Sequence, residues 1–137
     1  MSPYLEPRTF KLYEELEAAE HGVGDAMISL GLDDANDQTF TTWNASIFGG
    51  PGMGKFENRF FQMHITCGDN YPVSPPVIKF TGQKVTLPCV DGSGNVNIGA
   101  VLNWNGAQHG MQDVVKAIKQ SMIANRGTNQ PAEGANY

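Results

Sequence analysis

Two cysteines and three histidines are the first candidates for nucleophilic chemistry in this chain. A cysteine attacks as a thiolate, which usually requires a nearby histidine or another cation. His64 lies three residues before Cys67 on a predicted strand, so these two side chains point to opposite faces. His21 and His109 are far from both thiols in sequence. The spacing favours structural roles for Cys67 and Cys89, and no carboxylate pair stands out as an acid–base couple.

Two glycine-containing motifs resemble ligand loops and fail on their chemistry. The segment Gly49–Lys55 matches the start of a phosphate-binding loop, but Phe56 follows where a Ser or Thr should hold magnesium. A strand also follows it, rather than the helix whose N-terminus receives phosphate. In the calcium-loop pattern that begins at Asp91, Val96 and Leu102 replace the required Gly and Glu. We therefore expect no cofactor and no metal site.

Length and composition exclude several other classes of protein. The 137 residues, 40% of them hydrophobic, predict one domain over residues 1–137 with a substantial core. A net charge of −5 disfavours nucleic-acid binding through phosphate neutralisation. No apolar run approaches the roughly 18 residues of a membrane span, and residues 1–4 do not resemble a secretory signal. These features predict a small intracellular protein with no nucleic-acid or membrane partner.

The acidic charge is concentrated in the first 40 residues. This segment holds nine acidic and two basic residues, a net charge of −7, whereas residues 41–137 carry a net charge of +2. Such a run is typical of a solvated helix face. Alternatively, it forms a charged surface that orients a protein partner.

The elements that position these residues begin with an N-terminal helix. Thr9 is expected to cap it and Gly22 to end it, with Leu12, Leu16 and Ala19 on one buried stripe. Phe10 points about 160° away from Leu12 on this helix, and Tyr13 is its neighbour one turn later. Either an N-terminal arm covers Phe10, or Phe10 anchors a second protein.

Four strands follow, because apolar and polar residues alternate as in a half-buried antiparallel sheet. The predicted strands are 26–32, 39–48, 58–66 and 77–80, the last after the proline-rich segment Tyr71–Pro76. An irregular loop spans 81–110. A second helix is then indicated by apolar residues recurring from Met111 to Met122. The tail, 128–137, has no recognisable pattern.

This order of elements, with the segment Tyr71–Phe80 and Trp104, resembles the ubiquitin-conjugating enzyme family. In active members a His-Pro-Asn triplet precedes the catalytic cysteine. Here the triplet reads Leu87–Cys89, so the place of the cysteine falls on Asn97, or on Val96 if the chains are aligned at Trp104. Neither residue can form a thioester, because the chemistry requires a thiolate.

The chain more narrowly resembles the inactive ubiquitin-conjugating enzyme variants that pair with an active enzyme. The matching segments are 7–17, 22–25, 30–32, 57–59, 67–72, 87–90, 130–134 and Tyr137. The resemblance implies an α+β fold with an N-terminal helix, a four-stranded antiparallel meander sheet, a long irregular loop and one C-terminal helix. Active members carry two more helices, and an end soon after the second helix fits the variant type.

The resemblance also implies the function and its residues. A non-catalytic subunit would form a heterodimer with an active ubiquitin-conjugating enzyme and orient acceptor ubiquitin, so that non-degradative chains of one linkage form. Phe10 would fill a pocket of the partner, flanked by Pro7, Arg8 and Tyr13. The residues that match the weak acceptor-ubiquitin site are Ser29, Ser46 and Phe60. The resemblance further implies that a ubiquitin ligase joins through the partner. The chains would serve DNA-damage tolerance (postreplication repair) or signalling, and the protein would be cytoplasmic and nuclear.

Two other functions fit parts of the sequence. One is an active conjugating enzyme that uses Cys89 as its thiol. The other is a sorting-type variant domain that binds proline-containing peptides or ubiquitin. Sorting-type variant domains lack the Pro-Arg-x-Phe start and the Gln-Pro-x-Glu-Gly tail, and this chain has both.

Overall fold

A computed structural model describes residues 6–22 and 24–137, without the side chains of Glu6 and Pro7. Helix α1 (Glu6–Glu20) is followed by strands β1 (Ile28–Leu32), β2 (Thr42–Phe48), β3 (Phe60–Thr66) and β4 (Val77–Thr81), then helix α2 (Met111–Ala124). The sheet is antiparallel in the order β1-β2-β3-β4. The predicted α+β meander is therefore confirmed.

The sheet has one face in the core and one face towards solvent, as the alternation predicts. On β2 the side chains of Trp43, Ala45 and Ile47 are buried, and on the other strands the same parity holds. Helix α2 covers this core face with five buried side chains. They are Met111, Val114, Val115, Ile118 and Met122.

Helix α1 departs from its predicted start. The described helix already includes Glu6 and Arg8, so Thr9 lies inside it and the expected cap at Thr9 is wrong. The end agrees with the prediction, because Gly22 has a φ of 92° and its N–H donates to Ala19 O at 3.1 Å. Leu12 is fully buried, whereas Leu16 and Ala19 are half-buried.

The tail, 128–137, returns along the loop that follows β4. Gln83 pairs with Asn136 as an antiparallel bridge. The Gln130 side-chain amide pairs with both backbone groups of Thr86, at 2.8 and 2.9 Å. Val85 N donates to the Tyr137 hydroxyl at 3.2 Å. A segment without periodicity therefore fixes the loop through backbone pairing.

Candidate functional site

The outer face of α1 presents two aromatic side chains. Phe10 is 60% exposed and Tyr13 is 50% exposed, whereas Leu12 between them in sequence is fully buried. The prediction that Phe10 points away from the core is confirmed. Residues three apart on a helix are neighbours, so the two rings form one apolar surface. The side chain of Pro7, predicted beside them, lies outside the described residues.

Arg8 holds the beginning of this helix to the ends of the sheet. Its guanidinium donates to Gly68 O (2.9 Å), Thr39 O (2.7 Å), Cys67 O (2.8 Å) and Thr41 Oγ1 (3.1 Å). Four of the five guanidinium N–H groups are thus used within the chain. The role of Arg8 as a partner contact stays a prediction, and its visible role is to position the helix that carries Phe10.

Glu15 holds the middle of the same helix and was not predicted. Its carboxylate is buried and accepts hydrogen bonds from the Tyr71 hydroxyl and from Met111 N, the first N–H of α2. That N–H has no partner within its own helix, so the carboxylate satisfies it. Burial raises the pKa of Glu15, against the opposing effect of these two hydrogen bonds. A Cβ at Gly110 would lie 2.5 Å from Glu15 Oε1, so a larger residue at this position would have to displace the carboxylate.

The solvent face of the sheet contains a shallow pocket of about 290 Å³ that all three predicted ubiquitin-contacting residues line. Ser29 lies directly opposite Ser46 in the β1–β2 register, and their hydroxyls are 2.5 Å apart. Phe60, 51% exposed, lines the same pocket from β3. Ser46 is itself buried, so its hydroxyl mainly holds Ser29 in place. The fold brings these positions together, and their role stays a prediction.

The position of the absent nucleophile lies on a strand-like segment beside β4. Val96 N donates to Ile78 O at 3.0 Å, and Asn97 N donates to Cys89 O at 2.7 Å. Val96 is half-buried and Asn97 is exposed. Whichever residue occupies the place of the cysteine, an alkyl group or an amide stands there and no thioester can form.

Neither cysteine thiol is available to replace the lost nucleophile. Cys67 and Cys89 are at most 2% exposed. Burial, with a contribution from the Glu15 charge, raises the pKa of Cys67 to about 12. Burial also raises the pKa of Cys89. Both therefore stay protonated at neutral pH, which disfavours the alternative of an active enzyme that uses Cys89.

The remaining sequence predictions concern metals and membranes. Among residues 6–22 and 24–137, no three His, Cys, Asp or Glu side chains come close enough together to hold a metal ion. No helix within these ranges combines the length and apolar composition needed to cross a membrane. The cytoplasmic and nuclear location stays a prediction.

Comparison with known proteins extends the likeness over nearly the whole chain. A family model described as ubiquitin-conjugating enzyme matches residues 12–137. Ubiquitin-conjugating enzyme spm2 of Schizosaccharomyces pombe is 40% identical, with 96% of each chain covered. Ubiquitin-conjugating enzyme variant MMS2 of Saccharomyces cerevisiae is 38% identical, over 96% of this chain and 97% of that protein. Ubiquitin-conjugating enzyme E2 variant 1B of Arabidopsis thaliana is 36% identical, over 93% and 82%.

A solved structure agrees with this assignment. Human ubiquitin-conjugating enzyme E2 G1 superimposes with a TM-score of 0.67 at 27% identity, covering 87% of this chain and 93% of that one. The chain therefore belongs to the ubiquitin-conjugating enzyme family. Within the family it is a variant, a non-catalytic accessory protein without the catalytic cysteine, and members of this branch partner with active ubiquitin-conjugating enzymes. The prediction of a non-catalytic variant is confirmed.

Proposed function

We propose that this chain forms a heterodimer with an active ubiquitin-conjugating enzyme and orients an acceptor ubiquitin for chain formation. The observation that carries the proposal is the solvent-face pocket, which gathers Ser29, Ser46 and Phe60 on a scaffold with Asn97 or Val96 in place of the nucleophile. A protein that has lost its thiol and keeps a binding surface can act by positioning a substrate for a partner's thiol.

The outer face of α1 is the surface for the active partner. Phe10 and Tyr13 expose a continuous apolar area, and large aromatic side chains of this kind dominate the free energy of protein interfaces. Arg8 and Glu15 fix the helix from its inner side. The partner therefore meets a helix whose geometry is set before binding, which reduces the entropy lost on association.

The solvent-face pocket is the surface for acceptor ubiquitin. Phe60 offers an apolar contact, and the small serine side chains beside it allow ubiquitin to approach the backbone of the sheet closely. The catalytic contribution is proximity and orientation, supplied to the partner's thioester from a second subunit. Since only one orientation presents a given ubiquitin lysine to that thioester, the chains would have one linkage.

Non-degradative chains of one linkage would serve DNA-damage tolerance or signalling, in the cytoplasm and the nucleus. A ubiquitin ligase would join the complex through the active partner. These steps follow from the proposed heterodimer, and each depends on its formation.

A chain-formation reaction tests the proposal. Candidate active enzymes are incubated with activating enzyme, ubiquitin and ATP, with or without this protein, and linkage is read by mass spectrometry. Addition of the protein should increase the rate and give one linkage. Phe60→Ala should reduce chain formation while the heterodimer persists in a pulldown. If Phe60→Ala supports chain formation at the full rate while bound to the partner, the proposed ubiquitin site is wrong.

A further inference from the structure

The two edges of the sheet differ in how they are covered. At the β4 edge, Phe80 N donates to Gly94 O at 2.8 Å, and Val96 N donates to Ile78 O at 3.0 Å. The irregular loop therefore runs beside β4 and occupies its outer backbone groups. At the other edge, β1 pairs with β2 alone among the strands formed by residues 6–22 and 24–137.

The hydrogen bonds between β1 and β2 show which backbone groups of β1 point outward. Phe48 N donates to Met27 O at 2.8 Å, and Asp33 N donates to Thr42 O at 3.0 Å. In an antiparallel pair, every second residue exchanges hydrogen bonds with the neighbouring strand. The odd-numbered residues of β1 therefore bond to β2. The N–H and C=O groups of the even-numbered residues point away from it.

Leu30 and Leu32 are the even-numbered residues whose N–H groups are open. The third, Ile28, already donates its N–H to Asp25 O at 3.1 Å. Within the described part of the chain, the backbone groups of Leu30 and Leu32 have no hydrogen-bond partner on this outer side. Unpaired backbone groups along a strand edge are a template for a further strand.

Strand β1 also lacks the features that usually protect an edge. Natural edge strands carry lysine, proline, a bulge or an inward-pointing charge. The sequence of β1 is Ile-Ser-Leu-Gly-Leu, and its register with β2 is unbroken. A Cβ added at Gly31 would meet nothing within 4 Å, so the solvent side is open there. Leu30 and Leu32 are only half-buried, so their side chains also offer apolar contact.

The charge beside this edge indicates which kind of strand fits. Residues 12–54 contain no lysine or arginine, and the β1–β2 hairpin over residues 26–48 contains three aspartates. Two of them, Asp33 and Asp34, are exposed and directly follow β1. In the described ranges, no lysine or arginine nitrogen lies within 4.0 Å of either carboxylate. Two copies of this chain joined edge to edge would bring two acidic hairpins together, and this repulsion disfavours self-pairing.

We infer that the free edge of β1 binds an extended peptide that carries lysine or arginine next to its paired residues. The peptide would pair antiparallel with β1, because this pairing continues the sheet and is slightly more stable than parallel pairing. Its N-terminal end would then lie beside Asp33 and Asp34, so the basic residues come first. Its main chain would bond to Leu30 and Leu32, and its alternate side chains would lie beside theirs. The inference does not depend on the proposed function.

The test is an NMR titration of the isotope-labelled full chain with the synthetic peptide acetyl-Lys-Arg-Lys-Val-Thr-Val-Thr-Val-amide. The amides of Leu30 and Leu32 should shift to saturation, and their exchange with solvent should slow. The amides of Phe80 and Val96 should not change, because they are already bonded at the opposite edge. If the amides of Leu30 and Leu32 show no saturable shift, the inference is overturned.

Modified peptides test the main-chain pairing and the charge separately. A single N-methyl group in the central Val-Thr-Val should abolish binding on a residue whose N–H faces β1, and should be tolerated on the next residue. Equal effects at the two positions would overturn the pairing. Glutamate in place of the three basic residues should weaken binding by roughly tenfold. Unchanged affinity would overturn the assignment of a basic partner.

Two variants at one position provide the matched control in the protein. Leu30→Pro removes the outward N–H, whereas Leu30→Ala truncates the same side chain and keeps that N–H. The peptide should bind Leu30→Ala and should not bind Leu30→Pro; binding to both would overturn the inference. If Leu30→Pro does not fold, the N-methylated peptides still decide the matter. If the amides of Leu30 and Leu32 shift with protein concentration alone, the edge pairs with a second copy and the inference is overturned.

Discussion

Truncation of Phe10 to alanine should weaken pairing with the active enzyme by roughly a hundredfold while leaving the fold intact. Phe10 is 60% exposed, so the unbound protein loses little packing when the ring is removed. The thermal midpoint of Phe10→Ala should therefore equal that of the wild type. The loss is confined to the complex, where the ring would be buried.

The size of this loss follows from the exposed area. A phenylalanine contributes roughly 200 Å², of which the exposed fraction is about 120 Å². At about 25 cal/mol per Å², burial of that area contributes about 3 kcal/mol. A difference of this size weakens the dissociation constant by roughly a hundredfold, since about 1.4 kcal/mol corresponds to a factor of ten.

Isothermal titration calorimetry with the purified candidate partner measures the effect. Phe60→Ala is the control, because it removes the same ring from an exposed position on a different surface and should leave partner affinity unchanged. Equal partner affinities for Phe10→Ala and the wild type would refute the assignment of α1 as the partner surface. A loss of affinity in both variants would refute the separation of the two surfaces.

Three other changes test the supports around these surfaces. Arg8→Ala removes four hydrogen bonds from the start of α1, so amide exchange there should quicken and partner affinity should fall; unchanged exchange would contradict the positioning role. Burial raises the pKa of Glu15, so the folded state holds its proton to higher pH than the unfolded state. The free energy of unfolding of the wild type, relative to Glu15→Gln, should therefore decrease as pH rises above the ordinary carboxyl pKa. Urea denaturation at several pH values measures this difference, and an increase with pH would contradict the prediction. Incubated with activating enzyme, ubiquitin and ATP, neither the wild type nor Cys89→Ser should form a reductant-sensitive adduct with ubiquitin. An adduct that the wild type forms and Cys89→Ser does not would favour the active-enzyme alternative.

The sheet could be predicted because its signal is local. Alternation within each strand places Trp43 and Ile47 on the core face of the sheet, and the same alternation places Ser29 and Phe60 on the solvent face. The exposure of Phe10 was likewise predictable from its angle to Leu12. The pairing of these residues into one pocket needed the register, which alternation alone does not determine.

The supports of α1 were missed because they are polar and join distant segments. Glu15 lies beside Leu12 and Leu16 on the helical wheel. A buried stripe that is defined by its apolar residues does not include it. A carboxylate within an apolar stripe is a signal of a buried hydrogen-bonded group. The partners of Arg8 are 31 to 60 residues away, and no local pattern contains them.

The attachment of the tail to the loop after β4 also bears on how this chain matures on the ribosome. Tail residues Gln130, Asn136 and Tyr137 are synthesised after the residues of the loop with which they pair, and these pairings span 44 to 55 positions. The meander strands can pair as soon as they emerge, because the residues they pair are at most 24 positions apart. The loop after β4 therefore gains its backbone hydrogen bonds to the tail last. A nascent chain that pauses before the tail is made would have paired strands, and its loop would lack these hydrogen bonds.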